Sequence, residues 1–221
     1  MKNDNLVEQV GFVDLKEKTV KLNMSGDEFC GNAAMSAAVL SYITKGNKGK
    51  TEIEVDVLPM GEKVTVTAKK TDDEYSCVGL FKTPAICSDY TFEAENIEYS
   101  FPVVALNGIK HIIADAGLSE QAARSVIKPA AKKLNTPAAG IMIYNNNTGD
   151  LKPLVYVSAA NTLFLENSCA SGSCAVAAAK CKIGNTITLK EPGGNLEVAN
   201  KGEYITIGEN IKFIKKCLEE I

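Results

Sequence analysis

Two cysteines, Cys30 and Cys169, each stand where a polar approach runs into a segment of small residues. The first motif spans Gly26 to Ala38, GDEFC followed by GNAAMSAA, and the second spans Glu166 to Ala179, ENSCASGSCAVAAA. Each predicts a buried helix with a thiol at its start. The first amides of a helix have no intrahelical partner, and small residues leave them unshielded, so they bind anions. The positive end of the helix macrodipole favours thiolate over thiol, and both thiols are expected to have a lowered pKa. Two such thiols on opposite sides of one carbon form an acid/base pair. One thiolate removes a proton from the carbon while the other thiol delivers a proton to the opposite face, and the stereocentre inverts. The amides of Gly31, Asn32, Ala170 and Ser171 are the expected carboxylate donors, each able to supply roughly 3 kcal/mol of transition-state stabilisation.

A repeated motif of this kind predicts two similar half-structures related by a pseudo-two-fold axis, with both helix starts at one crevice. Alternating apolar residues supply the strands around each helix. Leu6 to Leu15 and then Val20, Leu22 and Met24 form a hairpin that leads into Cys30, and the first helix runs from about Asn32 to Thr44. Ile53, Val55 and Val57, then Val64, Val66 and Ala68, then Tyr75 to Phe81 follow as strands. The less patterned Lys82 to Glu98 is the expected crossover between halves. Beyond it come strands at Val103 to Leu106 and through His111, joined by a turn at Asn107 and Gly108. A helix capped by Ser119 runs toward Asn135, and Pro129 either kinks it or starts a second one. Strands at Gly140 to Tyr144, at Val155 and Val157 and at Leu163 to Leu165 lead into the Cys169 helix. Short strands at Thr186 to Leu189, Leu196 to Val198 and Tyr204 to Ile207 close the pattern. The fold class is therefore α+β, with each small-residue helix wrapped by sheet. The N-terminal half covers residues 1–84 and carries Cys30, and the C-terminal half covers 85–221 and carries Cys169.

Composition narrows the function classes. With 24 basic and 27 acidic residues and no Lys/Arg run, no nucleic-acid or membrane patch is expected and a small-molecule partner is favoured. The N-terminus lacks an apolar signal region, so the expected location is cytoplasmic. Seven cysteines are an odd number, which argues against a disulfide framework. The absence of a CxxC pair and the single histidine, His111, leave a zinc site poorly supplied, so no metal is expected. One buried cysteine alone is usually a small core residue, but two in matching contexts point to chemistry. Two alternatives serve the motifs less well. A hydrolase dyad of His111 with one cysteine leaves the other cysteine motif without a role. A phosphate-binding turn at Ser171, Gly172 and Ser173 lacks the GxxxxGK[ST] sequence. Glu8 or Glu166 would hold an ammonium group if it lined the crevice.

At these residues the chain resembles the cofactor-independent, two-cysteine epimerases of the diaminopimelate epimerase superfamily, and within it the histidine-racemase branch of staphylopine-type metallophore synthesis. The matching stretches are EQVGF (Glu8 to Phe12), MSGDEFCGNAAMS (Met24 to Ser36), PLVYV (Pro153 to Val157), ENSCASGS (Glu166 to Ser173) and EPGGNLEV (Glu191 to Val198). The resemblance implies two pseudo-symmetric halves, each a strand barrel around a central helix, with no cofactor and no metal. It implies Cys30 and Cys169 as the catalytic pair, with Glu8, Gly31, Asn32, His111, Ser168, Ala170 and Ser171 binding substrate. The implied activity is amino-acid racemisation, on histidine first, and a homodimer is compatible with it. The alternatives are an epimerase acting on another amino acid and a small-molecule-binding protein with an incomplete site. Relatives carry a further strand and an Asn-containing turn before the EQVGF-like stretch, a segment expected to be missing here. Ala170 stands where relatives have glycine, which tightens the space beside the carboxylate.

Overall fold

The computed structural model describes residues 9–59 and 61–214. In chain order the elements are β1 (Gly11–Asp14), β2 (Val20–Met24), α1 (Gly31–Thr44), β3 (Thr51–Leu58), β4 (Glu62–Lys70), β5 (Tyr75–Lys82) and β6 (Ala85–Ile86). Then come β7 (Tyr90–Ala94), β8 (Ile97–Phe101), β9 (Val103–Leu106), β10 (Ile109–Asp115), α2 (Glu120–Lys133), β11 (Ala138–Tyr144) and β12 (Leu151–Val157). The chain continues through β13 (Thr162–Leu165), α3 (Ala170–Lys180), β14 (Thr186–Glu191), β15 (Gly194–Asn200) and β16 (Tyr204–Ile211).

The strands form an eight-stranded sheet in the order β1-β2-β3-β4-β5-β16-β15-β14, a six-stranded sheet β13-β12-β11-β10-β9-β6, and the hairpin β7-β8. The pairing of β5 with β16, Tyr204 opposite Lys82 through Ile211 opposite Tyr75, carries the large sheet from early chain to late chain. Parallel pairing occurs at β2-β3, which α1 connects, and at β10-β11, which α2 connects. The protein is mixed α+β, mostly sheet, with three helices among the described residues.

Alternation sets the strands, as in β3, where Ile53, Val55 and Val57 are buried and Glu52 and Glu54 are exposed. α1 instead buries residues around much of its circumference, including Gly31, Ala34, Met35, Ala38 and Tyr42. It lies against β2, β3, β4 and β5, a distance that short side chains allow. α3 is sandwiched between β15 and β16 on one side and β9, β10 and β11 on the other. One apolar core therefore runs from Val20 and Met35 through Cys30 and Cys169 to Val176 and Ile207. A second core fills the space between the far face of the six-stranded sheet, α2 and the β7-β8 hairpin.

Two local expectations change. The stretch Lys82 to Glu98 is not a featureless crossover: it holds β6, β7 and the start of β8. Its hairpin turns at Glu95 and Asn96, both with positive φ (54° and 61°), and is clad by Phe92, Tyr99 and Phe101 packed on one another. The alternating aromatics Tyr90/Phe92 and Tyr99/Phe101 were the strand signal. Pro129 does not start a second helix, since α2 continues through it. Pro129 and Ser125 lie on the exposed side, while Ala122, Val126 and Ala130 keep the apolar stripe in place. Ser119 caps α2 as expected, accepting from the Ala122 amide at 3.0 Å. Among the described residues no helix is long and apolar enough to cross a membrane.

The N-termini of α1 and α3 meet. A Cβ placed on Gly31 would lie 2.8 Å from Ala170 Cβ and 3.2 Å from the Phe81 ring, so only glycine lets the two helix starts approach. Gly31→Ala is therefore expected to lower stability by about 1–3 kcal/mol, read as a drop in the urea midpoint without a change in slope.

Candidate active site

Cys30 is the N-cap of α1 (φ −128°, ψ 107°), and its sulfur accepts from the Ala33 amide. Cys169 occupies the equivalent place on α3 (φ −138°, ψ 90°). Extended backbone at each N-cap turns the side chain back over the first helical turn. Both thiols line one narrow crevice, together with Gln9, Glu28, Gly31, Asn32, Glu166, Ser168, Ala170 and Ser171. Its free volume is about 10 Å3, room for roughly one water.

Polar links close the crevice. Asn32 joins the helix starts: its Oδ1 accepts from the Ala170 amide at 2.7 Å and its Nδ2 donates to the Ser168 carbonyl at 2.8 Å. Gln9 spans the mouth, accepting from the Cys30 thiol at 2.7 Å and donating to Glu166 at 3.2 Å. Glu191 anchors the second helix start from behind, accepting from the Cys169 amide at 2.9 Å and from the Ser173 hydroxyl at 2.7 Å. The Ser168 hydroxyl and one carboxylate oxygen of Glu28, Oε2, are buried without a partner among the described residues. The amides of Gly31 and Ser171 stand in the first turns of α1 and α3, where a helix supplies no acceptor of its own.

Helix position does not set the state of the thiols. Cys30 is 7% exposed and Cys169 4%. Burial first, and then the negative charge of Glu166, push Cys30 up to about 12, with the Ala33 amide pulling the other way and Glu28 adding to the rise. Cys169 is raised well above the ordinary thiol value by burial, by the charges of Glu166 and Glu191 and by a hydrogen bond with Glu166, against a smaller pull from Ser171. The expectation of lowered thiol pKa values is corrected: desolvation and two acidic neighbours outweigh the helix amides, and both groups rest as neutral thiols.

The expected binding residues divide. Gly31, Asn32, Ser168, Ala170 and Ser171 come together at the crevice. The Ala170 amide, however, is already taken by Asn32, so it is no free carboxylate donor. His111 does not line the crevice. It is fully buried, with Nε2 3.0 Å from the Ser171 hydroxyl, which in turn lies 3.6 Å from the Cys169 sulfur. Burial lowers its pKa to about 3, so the ring is neutral. Glu8 lies outside the described residues. Sequence reasoning gave no role to Gln9, Glu28 or Glu191. Gln9 and Glu191 sit inside motifs already noted, EQVGF and EPGGN, and Glu28 lies two residues before Cys30, so adjacency was their only signal. Among the described residues no cluster of His, Cys, Asp and Glu side chains is arranged to hold a metal ion.

Residues 1–212 match the family described as the histidine racemase CntK N-terminal domain. The chain belongs to that family. It is an isomerase of the racemase and epimerase type. It is 29% identical over 223 aligned residues to a histidine racemase from one strain of Fusobacterium nucleatum, covering 97% of this chain and 82% of that protein. A histidine racemase from a second strain of the same species is 31% identical, over 93% of this chain and 80% of its own length. The fold is that of a predicted epimerase from Pseudomonas aeruginosa, with a TM-score of 0.65 at 10% identity over 94% of this chain and 84% of the other.

Two outcomes follow from the burial of the site. Iodoacetamide at neutral pH should label the exposed Cys87 well before Cys30 or Cys169, whose labelling should accelerate only above the ordinary thiol value of 9.0; fast labelling of both by peptide mapping at neutral pH would contradict neutral resting thiols. His111 titrates near 3 when folded and near 6.5 when unfolded. Its depressed value adds stability that is complete above 6.5 and is lost as pH falls toward 3. Urea unfolding across that window should show a shallower loss for His111→Asn than for the parent protein.

Proposed function

We propose that the protein is a cofactor-independent amino-acid racemase acting on histidine, with Cys30 and Cys169 as the two acid/base groups. The observation that carries this reading is that two cysteines far apart in sequence cap two helices whose starts meet, so that both thiols line one crevice. The substrate named for the Fusobacterium relatives supports histidine. The same recurrence of thiol, N-cap and small-residue helix supports two pseudo-symmetric halves, each a strand barrel around its helix.

In this reading the α-carboxylate takes the amides of Gly31 and Ser171 and the Ser168 hydroxyl, and Glu166 holds the α-ammonium. The crevice has no room for an amino acid as it stands, so Gln9 must leave the mouth for substrate to enter. An ammonium beside Glu166 offsets the carboxylate charge that adds to burial in holding both thiols protonated, and one thiol releases its proton to solvent. That thiolate removes the Cα proton while the opposite thiol donates its own proton to the other face. The product is the inverted amino acid, and the two cysteines have exchanged protonation states. Charge that develops on the carboxylate in the transition state is met by the helix amides.

The test is proton NMR of L-histidine in D2O with reduced protein, following loss of the α-proton signal and the appearance of D-histidine. Cys30→Ala and Cys169→Ala should each reduce racemisation by at least about a hundredfold with an unchanged circular dichroism spectrum. Either variant keeping more than about a tenth of the parent rate would overturn the two-thiol assignment.

A further inference from the structure

Beside the crevice lies a second pocket of about 190 Å3, lined by Val10, Gly26, Val155, Val157 and Phe164. Glu28 and Glu166 belong to both spaces and mark the seam between them. The pocket is several times the roughly 30 Å3 of one water, enough for a side chain of several heavy atoms. Its apolar wall is regular. Val155 stands opposite Phe164 in the β12-β13 register, and Val157 follows two residues on, so all three project from one face of the sheet.

Glu28 is the unexplained group at this seam. It is 6% exposed, and its Oε2 has no hydrogen-bond partner among the described residues. A buried carboxylate oxygen left unpaired carries its full desolvation cost, and a site tolerates that cost where a ligand supplies the missing donor. Gly26 makes room for it, since a Cβ there would stand 2.5 Å from Glu28 Oε2. The thiols, the helix amides and Glu166 account for the Cα proton, the carboxylate and the ammonium, which leaves the fourth substituent of Cα to point across the seam.

Resting on the racemase reading above, we propose that this pocket is the side-chain subsite and that Glu28 Oε2 is its specificity-determining acceptor, selecting a flat side chain that carries an N–H donor. A planar ring lies against the valines and Phe164 while its N–H meets Glu28. An acidic side chain is repelled there, and a flat apolar one leaves the carboxylate unpaired.

The experiment compares kcat/KM for L-histidine with that for 3-(2-thienyl)-L-alanine, a flat ring of similar size without an N–H, in the parent protein and in Glu28→Gln and Glu28→Met. A thienylalanine rate below detection is replaced by its inhibition constant against histidine. The expected result is that the preference for histidine falls about 10- to 100-fold in Glu28→Met, mainly through KM, and by less in Glu28→Gln, which keeps an acceptor but not the charge. Gly26→Ala, which presses on the same oxygen without touching the carboxylate's chemistry, should lower the preference in the same direction. An unchanged preference, or an equal loss for both substrates, overturns the proposal, the second because Glu28 would then act on groups common to all amino acids. If the parent protein racemises neither substrate, the racemase reading fails, and calorimetric titration with histidine decides the pocket separately: weaker binding in Glu28→Met upholds the subsite, and equal or absent binding in parent and variant overturns it.

Discussion

Two hydrogen bonds of one amide side chain hold the two helix starts together. Asn32, at the second position of α1, accepts from the Ala170 amide and donates to the Ser168 carbonyl, which ties the start of one helix to the start of the other across 138 residues of sequence. Each helix start offers amides that its own helix cannot satisfy, and here one of these is paired across the junction. The pairing brings the backbones so close that position 31 has no room for a Cβ. Shared use of a crevice by two thiols follows from that approach.

The same closeness determines the electrostatics. A thiol at a helix N-terminus in open solvent would ionise more readily. At this junction the helix ends are sealed by protein on nearly every side, and Glu166 and Glu28 or Glu191 add negative charge. Desolvation acts on the whole charge of a thiolate, whereas each amide contributes only a partial charge at the N-terminus. The result is a site whose two thiols are held in the neutral form. In the proposed reaction the ammonium of an amino acid supplies the counter-charge.

Behind the crevice a layer of buried polar groups holds the second helix start. Glu191 receives the Cys169 amide and the Ser173 hydroxyl, and neutral His111 supports the Ser171 hydroxyl. These contacts link α3 to β14 and β10, strands that lie in different sheets. The position of Cys169 is thereby tied to both sheets at once, while Cys30 depends mainly on the β strands wrapped about α1.

Local pattern determined much of this protein. Apolar alternation marked most strands, small residues marked the two central helices, Ser119 marked the start of α2, and the repeated cysteine context singled out Cys30 and Cys169, because each of these is a property of neighbouring residues and of the 2.0 and 3.6 periodicities. The β7-β8 hairpin was legible too, in its alternating aromatics, but was masked by the acids around it. Only the tertiary structure decided the charge state of the thiols, the use of the Asn32 side chain, the withdrawal of His111 behind Ser171, and the placement of Gln9, Glu28 and Glu191. Burial and the hydrogen bonds that join separate elements, Asn32 to the Ala170 amide 138 residues away among them, arise when the two helix starts meet, and no spacing within either motif encodes that meeting.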